Sequence, residues 1–149
     1  MARFFVAASN IFGRIAYLNG KDLDHIKALR IRDGEEFTVC DGDGTDYSCV
    51  LSVVEGQSAQ ARILESAPSR GEPTVQCTVY AAYSKGDKLE HVVQKAVELG
   101  AAAVVLFPCR RCVSRPEGAA LIKKTARLEK IAEEAAKQCG RGRIPHVCT

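Results

Sequence analysis

Cys109-Arg110-Arg111-Cys112 is the closest pairing of reactive side chains in the sequence. Two thiols separated by two residues can supply half of a tetrahedral zinc site, or can cycle between dithiol and disulfide. A zinc site needs a second pair, and only Cys139 and Cys148 follow, with eight residues between them. The pair reads first as two small side chains around a strand end. A redox or zinc protein is the competing reading, which metal analysis would decide. The three histidines, His25, His91 and His146, lie far apart and have no ligand spacing. No G-x-G-x-x-G, P-loop, H-E-x-x-H or G-x-S-x-G pattern occurs. Nothing in the pattern supports metal or nucleophilic catalysis.

What remains is a set of cations. Lys85 and Lys88 follow an apolar run that predicts a strand, and Arg110 and Arg111 follow a second such run. In a parallel sheet both pairs fall at the C-terminal edge, where open sheets bind ligands. Lys88, His91 and Lys95 share a helical face by their three- and four-residue spacing, although Lys95 also reads as half of a solvated pair with Glu98. Arg141 lies in the basic C-terminal third. Nearer the start, Arg3, His25, Arg30 and Arg32 could form a second basic surface, unless Arg30 pairs with Asp33 or Glu35 and His25 is a half-buried helix residue. Phosphate-binding surfaces are built from many such contacts, which position a nucleic acid without reading its sequence.

The formal net charge of +3, from 21 Lys and Arg against 18 Asp and Glu, is too mild to establish nucleic-acid binding. Distribution says more. Asp41, Asp43 and Asp46 cluster in one turn, while Arg110, Arg111, Arg115, Lys123, Lys124, Arg127, Arg141 and Arg143 crowd the C-terminal third. A hydrophobic content of 46% fits a folded chain rather than a disordered one. No apolar run approaches the ~20 residues of a membrane helix, and Met1–Val6 leads into no secretion signal. Seven irregularly spaced cysteines without such a signal predict a reduced, cytoplasmic protein.

These residues need elements to hold them. The first unit, 1–70, reads as β-rich. Arg3–Val6 and Arg14–Leu18 are strand candidates, and Asp22 is an N-cap candidate for a helix through Arg30. Asp33-Gly34 marks a turn, Glu36–Cys40 alternates, and Asp41-Gly42-Asp43-Gly44 predicts a hairpin. Tyr47–Val54 and Ser58–Leu64 complete a small barrel or sandwich. Ala67–Pro73, with two prolines and a glycine, reads as a linker. In the second unit, 71–149, Thr74–Ala82 predicts a strand buried on both faces, Lys85–Leu99 a helix ended by Gly100, and Ala103–Phe107 a second buried strand. Glu117–Cys139 predicts a long helix stopped by Gly140, and Ile144–Val147 approaches a third strand. The whole is an α+β chain whose second unit begins a parallel α/β sheet. Typical sheets have ~5–6 strands, so that unit reads as incomplete.

In order and spacing these segments resemble the RsmE family of bacterial 16S ribosomal-RNA methyltransferases. The carriers are Arg3-Phe4-Phe5-Val6, His25 with Leu29-Arg30, Asp41-Gly42-Asp43-Gly44, Lys85-Gly86-Asp87-Lys88 and Gln94–Gly100. To these are added Arg111 and Val113 after Pro108, and Ile131–Gln138 with Arg141, Ile144 and Pro145. Leu128 stands where the family often has Trp, and Cys109 and Cys112 stand where it is often polar.

The resemblance implies a PUA-like RNA-binding β-barrel domain followed by the N-terminal part of a SPOUT (trefoil-knotted) domain. It implies N3-methylation of one uridine in 16S rRNA by a homodimer, with S-adenosylmethionine as donor and with neither DNA nor a membrane as partner. It also implies a donor pocket in a C-terminal knot with a Gly-Pro-Glu-Gly-Gly-type loop, and no such loop occurs in these 149 residues. The donor site is therefore expected beyond residue 149, and this chain alone is expected to be inert. Arg111 is the first candidate for a catalytic role near the base, where a cation can stabilise a developing oxyanion. A stand-alone RNA-binding module without catalysis is the alternative.

Overall fold

Asp41 organises the first hairpin. Its carboxylate accepts the backbone N–H groups of Asp43 and Thr45 at 2.8 and 3.1 Å. These bonds outweigh burial and hold the Asp41 carboxyl below its ordinary range. Gly42 and Gly44 take φ of 83° and 106°, a region in which a side chain would be strained. The turn joins β4 (Glu36–Cys40) to β5 (Thr45–Glu55), which pair antiparallel with Cys40 opposite Asp46.

The computed structural model describes residues 1–149, which divide into two units, Met1–Arg70 and Gly71–Thr149. In the first, β1 (Arg3–Phe5), β2 (Ile11–Phe12), β3 (Ile15–Asn19) and β6 (Ser58–Pro68) join the hairpin. They form one six-stranded sheet in the order β1-β4-β5-β6-β3-β2. All pairings are antiparallel except β1 with β4. Register shifts at Ser48/Cys49 and Leu51/Val53 bend the long β5–β6 ribbon. β6 runs on to Pro68, so the segment read as linker begins later than its composition suggested.

Helix α1 (Lys21–Leu29) lays Leu23 and Ile26 on this sheet. Its N-cap is Gly20, and Asp22, expected to cap it, lies buried within the first turn. The core gathers Phe4, Leu18, Ile26, Phe37 and Val39, all at most 2% exposed. Phe4 meets Phe37 edge to face at 5.3 Å. Burying each such side chain contributes about 1.5–3 kcal/mol.

In the second unit β7 (Thr78–Ala82), β8 (Ala103–Phe107) and β9 (His146–Cys148) form a parallel three-stranded sheet with β8 in the centre. Helices α2 (Lys88–Glu98) and α3 (Gly118–Cys139) connect them. Leu89, Val93 and Val97 of α2 and Leu128, Ala132 and Ala136 of α3 are buried with Val104, Leu106 and Val147 of the strands. Gly140, at φ 79°, stops α3 as its spacing predicted.

The expectation of strands buried on both faces is corrected. Val104 and Leu106 of β8 are buried, while their neighbours Val105 and Phe107 are not. In β7, Tyr80 is 70% exposed, and Val75, which lies outside the strand, is 72% exposed. One face of the sheet is covered and the other is open. Hydrophobicity along a strand reports what could be buried, not which face a neighbour covers.

Candidate nucleic-acid interface

The two strand ends meet. Ala82 of β7 is in register with Phe107 of β8, and the N–H of Tyr83 donates to the Phe107 carbonyl at 3.1 Å. The loop Tyr83–Asp87 and the turn Cys109–Cys112 therefore leave the same edge of the sheet. Lys85, Lys88, Arg110 and Arg111 on these connections are all exposed. Lys124 of α3 joins them, its ammonium 5.7 Å from the ring centre of Tyr83, close enough for cation–π attraction. A cluster of solvated cations at a strand edge attracts a polyanion and places it without reading its sequence.

Arg115 has a different task. Its guanidinium donates to the carbonyls of Cys109 and Arg110 at 2.9 and 3.2 Å and braces the turn. Within the turn the N–H of Cys112 donates to the Cys109 carbonyl at 3.0 Å. Lys95, on the exposed face of α2, is tied to Glu98 at 2.6 Å, the solvated pair its spacing suggested. No group of three or more His, Cys, Asp or Glu is placed to hold a metal ion.

In the first unit the four candidates separate into two kinds. Arg30 and Arg32 are exposed just past α1. Arg30 is the only non-glycine residue at positive φ, 55°, where it caps the helix and its N–H meets the carbonyls of Ile26 and Lys27. Glycine would take that conformation with less strain.

Arg3 and His25 are held inward instead. The Arg3 guanidinium binds Asp46 through two contacts of 2.8 Å and donates to the Cys40 sulfur at 2.7 Å, with its side chain only 13% exposed. Asp46 also accepts the Ser69 hydroxyl. Burial works against the ionised carboxylate, but hydrogen bonds from Arg3, Ser69 and Cys40 outweigh it and hold the Asp46 carboxyl below its ordinary range. Burial pushes the Cys40 thiol up to about 12, against the nearby Arg3 charge. His25 is half-buried with its ring edge-on to Phe4 at 5.4 Å.

Arg141 is likewise removed from the surface on which it was expected. It is 4% exposed, and its guanidinium is held by the Glu72 carboxylate at 2.8 Å and by the carbonyls of Val97 and Ala101. A guanidinium so enclosed is committed to these partners, and removing it would strand the Glu72 carboxylate. The sequence reading missed Glu72 as its partner and missed the packing of Lys124 on Tyr83. No local pattern signals either contact, because the partners lie far apart along the chain.

Two family descriptions match this chain. Residues 71–149 match the RNA methyltransferase domain, and residues 18–64 match the RNA methyltransferase PUA domain. Among curated relatives, the ribosomal RNA small subunit methyltransferase E of Bacillus subtilis is 32% identical over 131 residues, covering 87% of this chain and 51% of that protein. The protein of the same name from Mycobacterium bovis is 32% identical over 147 residues, covering 97% of this chain and 55% of that protein. The chain thus spans about half the length of the curated relatives it matches. A crystal structure of ribosomal RNA small subunit methyltransferase E from Neisseria gonorrhoeae, bound to S-adenosyl methionine, superposes with a TM-score of 0.87 at 30% identity. The match covers 99% of this chain and 62% of that one. No helix is long and apolar enough to cross a membrane. By the domain that spans Gly71–Thr149, the chain belongs to the RNA methyltransferase family.

Proposed function

We propose that this chain is the RNA-holding part of a cytoplasmic, homodimeric methyltransferase that modifies N3 of one uridine in 16S ribosomal RNA. The observation that carries the reading is the convergence of Lys85, Lys88, Arg110 and Arg111 on neighbouring strand ends of a domain matched to RNA methyltransferases. Arg30 and Arg32 add a second cationic surface on the unit that contains the PUA match. The similarity to enzymes named for small-subunit ribosomal RNA supports 16S rRNA as the substrate.

S-adenosylmethionine, the donor bound by the Neisseria relative, supplies an electrophilic methyl group on a sulfonium. The residues present do not fit it. The strand edge where a ligand would enter carries Lys85, Lys88, Arg110 and Arg111, which repel a sulfonium cation and suit phosphate. The groove of about 350 Å³ between α2 and α3 is lined by charges of both signs, Glu90 and Glu134 with Arg127 and Lys130. These residues supply no step that runs through the donor.

On the acceptor side the chemistry is simpler. Uracil N3 becomes nucleophilic as its proton passes to solvent water, and the negative charge spreads onto O2 and O4. A guanidinium at the strand edge stabilises that charge, and Arg111 is the group we assign to this role. Phosphate contacts from the lysines hold the nucleotide in place, and such positioning can account for much of a rate.

The test is binding of a structured 16S rRNA fragment to the purified chain at several salt concentrations, with S-adenosylmethionine titrated separately by calorimetry. Salt-sensitive RNA binding without donor binding is the expected result. Failure to bind RNA at low salt would overturn the reading, and saturable donor binding at micromolar concentration would overturn the assignment of roles.

A further inference from the structure

We propose that Cys109 and Cys112 form a reversible dithiol–disulfide pair whose closure staples the turn carrying Arg110 and Arg111. The two sulfurs stand 3.3 Å apart, and the N–H of Cys109 donates to the Cys112 sulfur at 3.2 Å. With the reverse bond from the Cys112 N–H to the Cys109 carbonyl, the backbone already clamps the turn at both ends. A disulfide bond is about 2.05 Å long, so closure needs an approach of only about 1.3 Å.

Access and charge favour reaction. Both thiols are partly exposed, whereas Cys40 and Cys49 are buried. The Arg115 guanidinium lies on the Cys109 and Arg110 carbonyls and brings positive charge to the turn. The hydrogen bond with Cys112, then the backbone N–H of Arg111, draw the Cys109 thiol below its ordinary range. Burial pushes the Cys49 thiol up, to about 11. Reactive cysteines are found in settings like the first and inert ones in settings like the second.

The oxidant is a small-molecule disulfide. The Cys109 thiolate attacks one of its sulfurs, forms a mixed disulfide and releases one small thiolate. Cys112 gives its proton to solvent and attacks the Cys109 sulfur. The Cys109–Cys112 bond forms and the second small thiolate leaves. Two protein thiols lose two electrons, and the small disulfide gains them as two thiols. Excess small thiol reverses both steps. The pair is thus a modification site set apart from the RNA reading, because its chemistry needs no RNA.

The experiment equilibrates the whole chain in glutathione buffers of increasing disulfide fraction. Free thiols are then blocked, the remainder reduced and labelled differently, and each cysteine scored by peptide mass spectrometry. Cys109 and Cys112 should oxidise together, one for one, with a midpoint set by the square of the thiol concentration over the disulfide concentration, and should recover on adding reductant. The exposed thiols Cys77, Cys139 and Cys148 serve as internal references. A Cys112→Ser chain should accumulate one glutathione at Cys109. If wild-type Cys109 and Cys112 instead carry glutathione independently, at the same buffer ratios as Cys77, the pairing is overturned. If the Cys112→Ser chain stays free of adduct while the wild-type pair closes, Cys109 is not the attacking thiol.

Discussion

Glu72 holds three consecutive residues, Arg141, Gly142 and Arg143, that lie 69 to 71 positions beyond it. Its carboxylate binds the Arg141 guanidinium and also accepts the backbone N–H groups of Gly142 and Arg143, each at 3.0 Å. Arg141 in turn donates to carbonyls at the end of α2 and in the loop before β8. One ion pair thus joins the start of the second unit, the end of α2 and the approach to β9.

Arg141→Ala should destabilise the second unit by about 3 kcal/mol, the lower end for breaking a buried pair, because it strands the Glu72 carboxylate and the two carbonyls. Urea unfolding followed by circular dichroism measures this. A change under half that size would mean that water replaces the guanidinium at little cost.

The same pair gives a pH dependence. Burial opposes ionisation of Glu72, but the Arg141 hydrogen bond and charge, with the N–H groups of Arg143 and Gly142, outweigh it and lower its carboxyl below the ordinary 4.5. In acid the folded unit therefore binds fewer protons at this site than the unfolded chain does. The stability it contributes is complete above the unfolded value and is lost as pH falls through the folded one. A Glu72→Gln chain should show a shallower loss of urea midpoint between about pH 7 and about pH 3 than wild type. Parallel curves for the two chains would remove Glu72 as the cause.

Arg30 separates stability from binding. Because it occupies a left-handed conformation, Arg30→Gly should leave the first unit as stable as wild type or more so, by up to about 1 kcal/mol. RNA affinity should nevertheless fall if the guanidinium contacts phosphate. Thermal unfolding and RNA titration on one preparation read the two effects. Unchanged affinity in a stable variant would make Arg30 a cap and nothing more.

The salt dependence of RNA binding assigns the cationic edge. Replacing Lys85, Lys88, Arg110 and Arg111 with alanine should reduce the slope of log affinity against log salt by roughly 0.7–0.9 for each phosphate left without its cation. Arg3→Ala should behave otherwise. It should lower stability by leaving Asp46 and Cys40 without their shared donor, and change the slope little where the chain remains folded. A reduced slope in a stably folded Arg3→Ala chain would return Arg3 to the RNA surface.

How far these features could be read from the sequence depended on how local their causes are. The Asp41–Gly44 turn and the stop at Gly140 were legible because side-chain acceptance of backbone N–H groups and tolerance of positive φ act within a few residues. So was the gathering of Lys85, Lys88, Arg110 and Arg111, since parallel strands bring their following loops to one edge. The partners of Arg141 and Arg3 were not legible, for the opposite reason. Each looks like any surface arginine until a carboxylate 69 or 43 residues away is brought against it. Asp22 carried the chemistry of an N-cap, but Gly20, with φ 54°, let the helix start ahead of it.

Beside the Glu72–Arg141 pair, Gly71 lies so close to Gly140 that an added Cβ would stand 2.3 Å from the Gly140 oxygen. Contact there closes a loop of nearly the whole second unit, and long loops close only after the contacts within them have offset the entropy of ordering. The fastening should therefore form on the native side of the folding barrier. Substituting Gly71 would then leave the refolding rate nearly unchanged while the chain unfolds faster, so that this seam governs how long the unit stays folded rather than how quickly it is made.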